Sequence, residues 1–345
     1  MKYLLSRLYE LAVRVRLALF KIGWLQQHQL SCPVISVGNL TLGGTGKTPF
    51  VAYLAKVLLQ LGHRPSIISR GYKGTMEKKG GLASDGIRML VDAESCGDEP
   101  YMLAQTLEGV PIAVDRDRFT AGKLLEKQFG ELVHILDDGF QHLRLRRNLN
   151  ILLIDGTDPF GNGHLIPKGK LREPFSAIAR ADLVVITRGH LTTDGDAIER
   201  QVRKHHPSVS IAYFYHDAVD VRDLASQESL SLRAFANSRV VVLAGIGNPT
   251  VFLQDLAHYQ IKVVDHFFFR DHHKFTQQEL DIALTRSREL AAQCILTTEK
   301  DAVRLKKLSF LKGEISVFEI EVRPENTEGY LDVWRKEMEN LPAPH

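Results

Sequence analysis

The sequence predicts an α/β fold with two parallel-sheet domains, the second smaller than the first, preceded by an amphipathic helix. Short apolar runs alternate with longer helical stretches, and a glycine-rich turn follows the first of these runs. Strands that alternate with helices form a parallel sheet covered on both faces. A chain of 345 residues, at roughly 150 residues per domain, corresponds to about two domains.

The composition is that of a folded protein without a marked excess of charge. Hydrophobic residues make up 44% and charged residues 25% of the chain, which excludes wholesale disorder. The net charge of +3 is too small to indicate a nucleic-acid partner, and we expect none. Cys32, Cys96 and Cys294 are widely spaced and include no CxxC pair. They indicate neither a disulfide framework nor a zinc site and favour a reducing cytoplasm.

Residues 1–30 are predicted to contain an amphipathic helix. Apolar residues recur there at intervals of three and four, at Leu4, Leu8, Leu11, Val15, Ala18, Ile22 and Leu25. Interspersed arginines and lysines make the segment too polar for a bilayer span and unlike a secretory signal. A helix of this kind can lie in an anionic membrane surface or pack on the next domain. Composition and spacing leave both alternatives open.

Two sets of apolar runs rich in Val and Ile are predicted to be the strands of the two domains. The first set, in domain 31–205, is PVISVG, PSIISRGY, VPIAV, LVHILDD, LNILLIDG and ADLVVITRG. The second set, in domain 206–345, is IAYFYH, RVVVLAGIGNP, IKVVDHFFF, AQCILTTEKD and ISVFEIEV. The polar stretch 192–210, which contains Pro207, is where we expect the boundary.

The glycine-rich turn after the first run is predicted to be a phosphate-binding loop (P-loop). The turn consists of Gly43, Gly44, Thr45, Gly46, Lys47 and Thr48. Glycines let backbone N–H groups approach a phosphate, lysine supplies charge, and the threonine hydroxyl can bind magnesium. Thr41 departs from the motif, because it occupies the position of the first glycine in GxxxxGK[ST]. The pattern predicts binding of a nucleoside triphosphate.

Three carboxylates could complete a phosphoryl-transfer centre. Asp137 and Asp138 end a buried run, where ligands of open α/β sheets bind, and resemble the Walker B pair that helps to hold magnesium. Without a P-loop, two such aspartates would instead indicate a solvated turn. Asp98 in the GDEP motif could accept a proton from a nucleophilic hydroxyl, although an acidic residue before proline is also typical of a helix start.

Cationic residues cluster in the segments that follow the aspartate pair. Arg144 and Arg146 alternate with leucines, and Lys168, Lys170 and Arg172 occupy a Gly/Pro-rich loop. Beside a P-loop, such cations would neutralise a triphosphate or recognise an anionic acceptor. Runs of charge are otherwise typical of solvated faces.

Taken together, eight motifs resemble the lipid A 4′-kinase family, also called tetraacyldisaccharide 4′-kinase. They are VGNLTLGGTGKTP, SRGY, GDEP, DDGFQH, GHLIPKGKLREP, AGIGNP, DHHKFT and TTEKDAVRL, in this order over nearly the whole chain. The resemblance implies that ATP with Mg²⁺ phosphorylates the 4′-hydroxyl of tetraacyldisaccharide 1-phosphate, which gives lipid IVA in lipid A (lipopolysaccharide) biosynthesis.

The resemblance also implies roles for individual residues. Asp98 would be the catalytic base, paired with His272 of the second domain rather than with its neighbour His273. Asp137 and Asp138 would be catalytic. Residues 43–48 would bind nucleotide together with Gln141, His142, Arg172 and Glu173, and the metal would be held by Thr48 and Asp138.

A lipid acceptor would give the amino-terminal helix a function, because the enzyme must reach an acceptor whose acyl chains remain in a membrane. The resemblance implies a peripheral enzyme on the cytoplasmic face of the inner membrane. We expect it to be a monomer whose two domains close around ATP.

Two other classes of P-loop protein share some of these features. A membrane-associated nucleotide-switch or partitioning ATPase would hydrolyse ATP without lipid, and a soluble small-molecule kinase would not need residues 1–25.

Overall fold

The computed structural model describes residues 1–325, so the end of the predicted domain 206–345 lies outside the described residues. The chain divides into two compact units, one formed by Met1–His216 and the segment that begins at Val322, the other by Asp217–Glu321. The division falls later than the predicted boundary after residue 205, because residues 210–214 continue as a strand paired within the first unit. Residues 1–30 belong to the first unit.

The first unit alternates strands and helices along the chain. Its helices are α1 (Lys2–Lys21), α2 (Lys47–Gln60), α3 (Ala93–Cys96), α4 (Asp98–Thr106), α5 (Arg118–Phe129) and α6 (Gly195–His205). Its strands are β1 (Val34–Asn39), β2 (Pro65–Ser69), β3 (Gly81–Ser84), β4 (Ile112–Val114), β5 (Val133–Asp137), β6 (Leu149–Asp155), β7 (Leu183–Thr187) and the beginning of β8 (Ser210–Asp223). All six apolar runs predicted for this region form strands.

The strands of the first unit lie in the order β8–β7–β6–β1–β5–β2–β4–β3. Neighbours are parallel except for β3, which runs antiparallel to β4 and was not predicted from the sequence. Residues of β1, β5, β6 and β7 are buried throughout, as expected for parallel strands with helices on both faces. The α/β fold with a mostly parallel sheet is therefore confirmed.

Helix α2 covers one face of this sheet. Phe50, Leu54 and Leu58 recur at helical spacing and pack in one core with Ile35 of β1 and Ile151 of β6. Each such side chain contributes roughly 1.5–3 kcal/mol when it is fully buried. Because α2 begins directly after the glycine-rich turn, this packing fixes the turn at the carboxyl end of β1.

The second unit is a smaller α/β unit. Its elements are β9 (Ser229–Leu230), β10 (Arg239–Ala244), α7 (Pro249–His258), β11 (Lys262–Phe268), α8 (Gln277–Glu289), β12 (Cys294–Thr298), α9 (Glu299–Leu305) and most of β13 (Ile315–Pro324), whose last residues, from Val322, belong to the first unit. The parallel order is β11–β10–β12–β13. Four of the five runs predicted for the second domain form these strands. The fifth, IAYFYH, lies in β8 and begins within the first unit.

Helix α1 contacts the rest of the first unit through one face. Its hydrogen bonds run from Ser6 Oγ to the Leu165 carbonyl (2.9 Å), from the Tyr9 hydroxyl to the Arg172 carbonyl (2.9 Å) and from Arg16 Nη2 to the Gln141 carbonyl (3.2 Å). The other face leaves Leu4, Leu8, Leu11 and Val15 between 50% and 66% exposed. Within residues 1–325, no helix combines the length and the apolar character that a membrane span requires.

Candidate active site

The turn between β1 and α2 has a backbone that requires glycine. Gly43 (φ 121°) and Gly46 (φ 74°) lie in the left-handed region, which other residues adopt only with strain. Gly46 is also the N-cap of α2. The first N–H groups of this helix have no partner within the helix, and together with the positive end of the helix dipole they form an anion site.

The neighbouring strands hold the turn through its carbonyl groups. Thr187 Oγ1 at the end of β7 donates to the Thr45 carbonyl (3.1 Å). The next residue, Arg188, donates to the Gly44 carbonyl (3.2 Å) and forms an ion pair with Asp155 at the end of β6. These contacts leave the N–H groups of the turn available for a ligand.

Lys47 is placed by its position at the start of α2. Its Nζ donates to Asn39 Oδ1 (3.3 Å) and lies 3.6 Å from Asp138 Oδ1. Strands β1 and β5 are adjacent, with Val37 paired to Asp137, so their carboxyl ends bring these groups together. Thr48 follows as the second residue of the helix.

Asp138 is held by two cations. Arg172 donates Nη1 to Oδ2 (3.0 Å) and Nη2 to Oδ1 (2.9 Å), a bidentate ion pair. Burial would raise the pKa of Asp138, but the charges of Lys47 and Arg172 outweigh it and hold the pKa below its usual value. Asp138 therefore remains an anion at the mouth of the turn, with its side chain 37% exposed.

Asp137 behaves in the opposite way although it is the adjacent residue. Burial, reinforced by the charges of Asp138 and Glu99, raises its pKa to about 6, against the opposing effects of Lys47 and a hydrogen bond from Ser69 Oγ (3.1 Å). Two adjacent carboxylates whose pKa values move apart can perform different tasks in one site.

Gln141 and His142 lie in the loop that follows the aspartates. Gln141 Nε2 donates to the Asn39 carbonyl (2.9 Å). Burial, with the charge of Arg118, lowers the pKa of His142 to about 3, so its imidazole is neutral at physiological pH. Within the described chain, His142 Nε2 and Gln141 Oε1 are buried without a hydrogen-bonding partner. Both atoms could therefore serve a ligand.

Glu173 follows Arg172 in the chain, and Asp98 begins helix α4. Glu173 is buried and forms an ion pair with Arg180. Asp98 is the first residue of α4, after Gly97, whose backbone packs so closely on the Gly71 loop that a Cβ atom would lie 3.1 Å from the Gly71 carbonyl carbon. Its neighbour Glu99 is one of the charges that raise the pKa of Asp137.

His272 lies in the second unit, in a left-handed conformation (φ 62°). Its ring nitrogens are within hydrogen-bond distance of two cations, Arg304 Nη2 at 3.1 Å and Lys300 Nζ at 3.2 Å. His273 instead contacts Glu279 (3.0 Å). Asp271 also lies near the His272 ring, at 3.8 Å, and Arg304 donates to the His273 carbonyl as well (3.3 Å). The two adjacent imidazoles therefore have different surroundings, two cations and a carboxylate for His272 and one carboxylate for His273.

Three residues of the site were not predicted from the sequence. Asn39 joins Lys47, Arg172 and Gln141 at the end of β1. Asn39 could have been found from the sequence, because it is a polar residue at the end of a buried run. The same criterion identified Asp137. Arg188 donates to the Gly44 carbonyl, and the ring of His216, on β8, packs against Gly46. Neither residue carries such a signal in the sequence, since these contacts depend on the order of strands in the sheet.

Comparison with known proteins agrees with the motifs. The family model described as tetraacyldisaccharide-1-P 4′-kinase matches residues 2–337. The tetraacyldisaccharide 4′-kinase of Geobacter metallireducens is 42% identical over 301 residues, 87% of each chain. That of Desulfatibacillum aliphaticivorans is 36% identical over 341 residues, 97% of this chain and 92% of the relative.

A solved structure extends the comparison to the fold. The LpxK protein of Aquifex aeolicus, crystallised in complex with ATP, superimposes with a TM-score of 0.74 at 31% sequence identity. The match covers 96% of this chain and 97% of the other. Sequence and fold lead to one conclusion: this chain is a member of the tetraacyldisaccharide-1-phosphate 4′-kinase family.

Proposed function

We propose that this chain transfers the γ-phosphoryl group of ATP to the 4′-hydroxyl of tetraacyldisaccharide 1-phosphate and so forms lipid IVA. The observation that carries the proposal is the meeting of Lys47, Asp138 and Arg172 at the turn between β1 and α2. Positioned charges of this kind provide most of the catalysis in phosphoryl transfer. A nucleotide-switch ATPase has no need of an acceptor, and family membership does not favour it.

The residues at the turn fit a nucleotide with Mg²⁺. The N–H groups at the start of α2 and Lys47 would bind the β- and γ-phosphates. Asp138, which stays ionised, and the hydroxyl of Thr48 would hold the metal. Mg²⁺, when bound, neutralises negative charge on the phosphates. Gln141 and His142 offer unpartnered polar atoms to the same ligand.

Asp98 is the proposed base. Its carboxylate accepts the proton of the 4′-hydroxyl while the hydroxyl oxygen bonds to the γ-phosphorus and the bond to ADP breaks. Its place in the first turn of α4, beside Glu99, whose charge raises the pKa of Asp137, supports this role. His272, from the second unit, is proposed to assist the same proton transfer.

The assay that tests this proposal is transfer of label from γ-labelled ATP to the disaccharide lipid. Asp98→Asn should lower kcat at least 100-fold with little change in the KM for ATP, the extent typical of a lost general base. Asp196→Asn is the matched control, an exposed acid in the first turn of α6. Unlabelled lipid with the wild-type chain, or full turnover by Asp98→Asn, would reject the assignment.

The role of His272 requires a double-variant comparison. If Asp98 and His272 act on one proton transfer, Asp98→Asn combined with His272→Ala should be no slower than Asp98→Asn alone. His273→Ala serves as the control, because this neighbour contacts Glu279 instead. Losses that multiply would show that His272 acts on a separate step.

We also propose that α1 binds the membrane surface and that the enzyme works, as a monomer, peripherally on the cytoplasmic face of the inner membrane, where ATP is supplied. The exposed apolar stripe Leu4, Leu8, Leu11 and Val15 supports insertion into the headgroup region. Basic residues of the same helix favour anionic lipids.

Vesicle binding tests the helix separately from the chemistry. Leu8→Ser with Leu11→Ser should reduce sedimentation with vesicles that contain an anionic phospholipid, while activity on acceptor in detergent micelles is retained. Leu311→Ser, an equally exposed leucine of the second unit, should leave vesicle binding intact. Unchanged sedimentation of the Leu8/Leu11 variant would remove α1 from the proposal without affecting the kinase assignment.

A further inference from the structure

Three potential metal ligands meet at the amino ends of β1 and β5, the end of the sheet remote from the turn that precedes α2. Cys32 lies two residues before β1, His134 is the second residue of β5, and Glu126 is on α5. One ligand atom from each, the thiol sulfur, a ring nitrogen and a carboxylate oxygen, lies within 4.8 Å of the other two. Parallel pairing of Val34 with His134 fixes this proximity in the backbone.

His134 is the central member of this cluster. Its side chain is completely buried, and Nδ1 lies 2.7 Å from Ser66 Oγ. Nε2 is 3.9 Å from Glu126 Oε1, too far for a hydrogen bond, and has no hydrogen-bonding partner within residues 1–325. Metal-binding histidines usually use one ring nitrogen for a second-shell hydrogen bond and the other for the metal. Ser66 supplies that hydrogen bond here.

The other two members keep lone pairs for a ligand. Glu126 Oε1 accepts from the Cys32 backbone N–H (2.8 Å), and Oε2 accepts from Lys123 Nζ (2.7 Å). Each carboxylate oxygen has two lone pairs, so one remains on each. The sulfur of Cys32 accepts a weak hydrogen bond from the Leu132 N–H at 3.4 Å. Its S–H donates to the Gly130 carbonyl at 3.8 Å, a bond that is lost when the thiol is deprotonated. Cys32 is half-buried, which leaves an entry path from solvent.

We propose that Cys32, Glu126 and His134 bind a zinc-type divalent transition-metal ion, with water as the fourth ligand. Zn²⁺ accepts sulfur, nitrogen and oxygen together in tetrahedral geometry. Bonds of about 2.0–2.3 Å place such ligands roughly 3.4 Å apart, so the side chains need to converge by about 1 Å. On binding, the Cys32 thiol releases its proton to solvent and the metal–sulfur bond forms. The ion would link β1, β5 and α5.

Cobalt(II) is the probe for this site, because a cobalt–thiolate bond has a charge-transfer absorption in the near ultraviolet. The full-length, tag-free chain, stripped of metal, is titrated with Co²⁺ alone. We expect one equivalent to produce the band and Zn²⁺ to abolish it by displacement. Cys32→Ser should lose the band, whereas Cys294→Ser, which removes a buried free cysteine, should retain it.

Two variants test the neighbouring charges. Glu126→Gln should weaken Co²⁺ binding about tenfold, since it removes an anionic ligand. Lys123→Gln should strengthen binding several-fold, because the ammonium group that contacts Glu126 repels a cation. Absence of the band in the wild-type chain, or an unchanged titration of Cys32→Ser, would overturn the site and would leave the kinase proposal untouched.

Discussion

The Arg172 guanidinium group binds both carboxylate oxygens of Asp138, at 2.9 and 3.0 Å. Lys47 lies 3.6 Å from the same carboxylate, so two cations surround one anion where β5 ends. The planar guanidinium forms both bonds at once, which a lysine ammonium group cannot do. The orientation of Asp138 therefore depends on Arg172 more than on Lys47.

Arg172→Lys should lower kcat/KM for ATP about 10- to 100-fold. A lost charge-assisted hydrogen bond costs roughly 1.5–3 kcal/mol, and the remaining positive charge does not restore the orientation of the carboxylate. Steady-state kinetics with varied ATP and Mg²⁺ measure the effect. Arg200→Lys, at a site 70% exposed, is the control. Activity within twofold of the wild-type rate would show that orientation by Arg172 is dispensable.

Asp137→Asn should stabilise the protein above pH 6 while reducing its activity. The pKa of Asp137 rises from 3.8 to about 6 through burial and the charges of Asp138 and Glu99. The Asp137 carboxyl thus binds its proton more tightly in the folded chain than in the unfolded chain. Its ionisation therefore lowers the free energy of unfolding as pH rises from about 4 to about 6, by about 3 kcal/mol in all. Urea unfolding should show a gain at pH 8 and a smaller gain at pH 5.

Asp138→Asn provides the contrast to this pH dependence. Although burial opposes it, the charges of Lys47 and Arg172 lower the pKa of Asp138. Its contribution to stability is therefore present at neutral pH and is lost in acid, and the variant should be less stable than wild type at pH 8. A destabilised Asp137→Asn at pH 8 would contradict the assigned direction of its pKa shift.

His216→Phe should raise the free energy of unfolding by roughly 1 kcal/mol. The ring of His216 is buried against Gly46, where a Cβ atom would lie 2.6 Å from Nε2, and neither ring nitrogen has a partner within residues 1–325. Removing unpartnered buried polar atoms removes their desolvation cost. Thermal unfolding measures the change, with the smaller His216→Leu as a check on steric fit. Destabilisation of both variants would contradict the view that the buried imidazole carries a net desolvation cost.

The Cys32 thiol should react with Ellman's reagent at pH 8 much faster than the thiols of Cys96 and Cys294. Burial raises the pKa of Cys96 to about 12 and that of Cys294 to about 11, so neither forms its reactive thiolate. Burial also raises the pKa of Cys32, but this thiol is only half-buried and stays accessible to the reagent. Stopped-flow absorbance should show one fast phase, which Cys32→Ser abolishes, and the remaining thiols should react only in denaturant. Three equal rates in the native chain would refute this order.

The strands could be predicted because each is an apolar run that ends at glycine, proline or a polar residue. Gly81–Ser84 was missed since the segment is only four residues long and contains no β-branched residue. Its pairing with β4 depends on the sheet that forms around it. Strand β8 crosses the division between the units, and local composition does not show where a strand leaves a domain.

The residues of the candidate site likewise fall into a group that the sequence predicted and a group that it did not. The residues with a fixed spacing, from Gly43 to Thr48 and the pair Asp137–Asp138, were predicted, and the structure brings Lys47 next to Asp138. Contacts made by Asn39 and Arg188 join residues more than one hundred positions apart. Such contacts depend on which strands are neighbours in the sheet. They could not be predicted, because the spacing of residues along one sequence does not reveal the order of the strands.

Helix α1 donates the Tyr9 hydrogen bond to the same backbone segment that presents Arg172. If α1 is bound to lipid, this hydrogen bond would fix the distance between the headgroups and the nucleotide site. That distance determines where the γ-phosphate meets the acceptor sugar. An acceptor whose acyl chains remain embedded could then meet the nucleotide without being extracted from the bilayer.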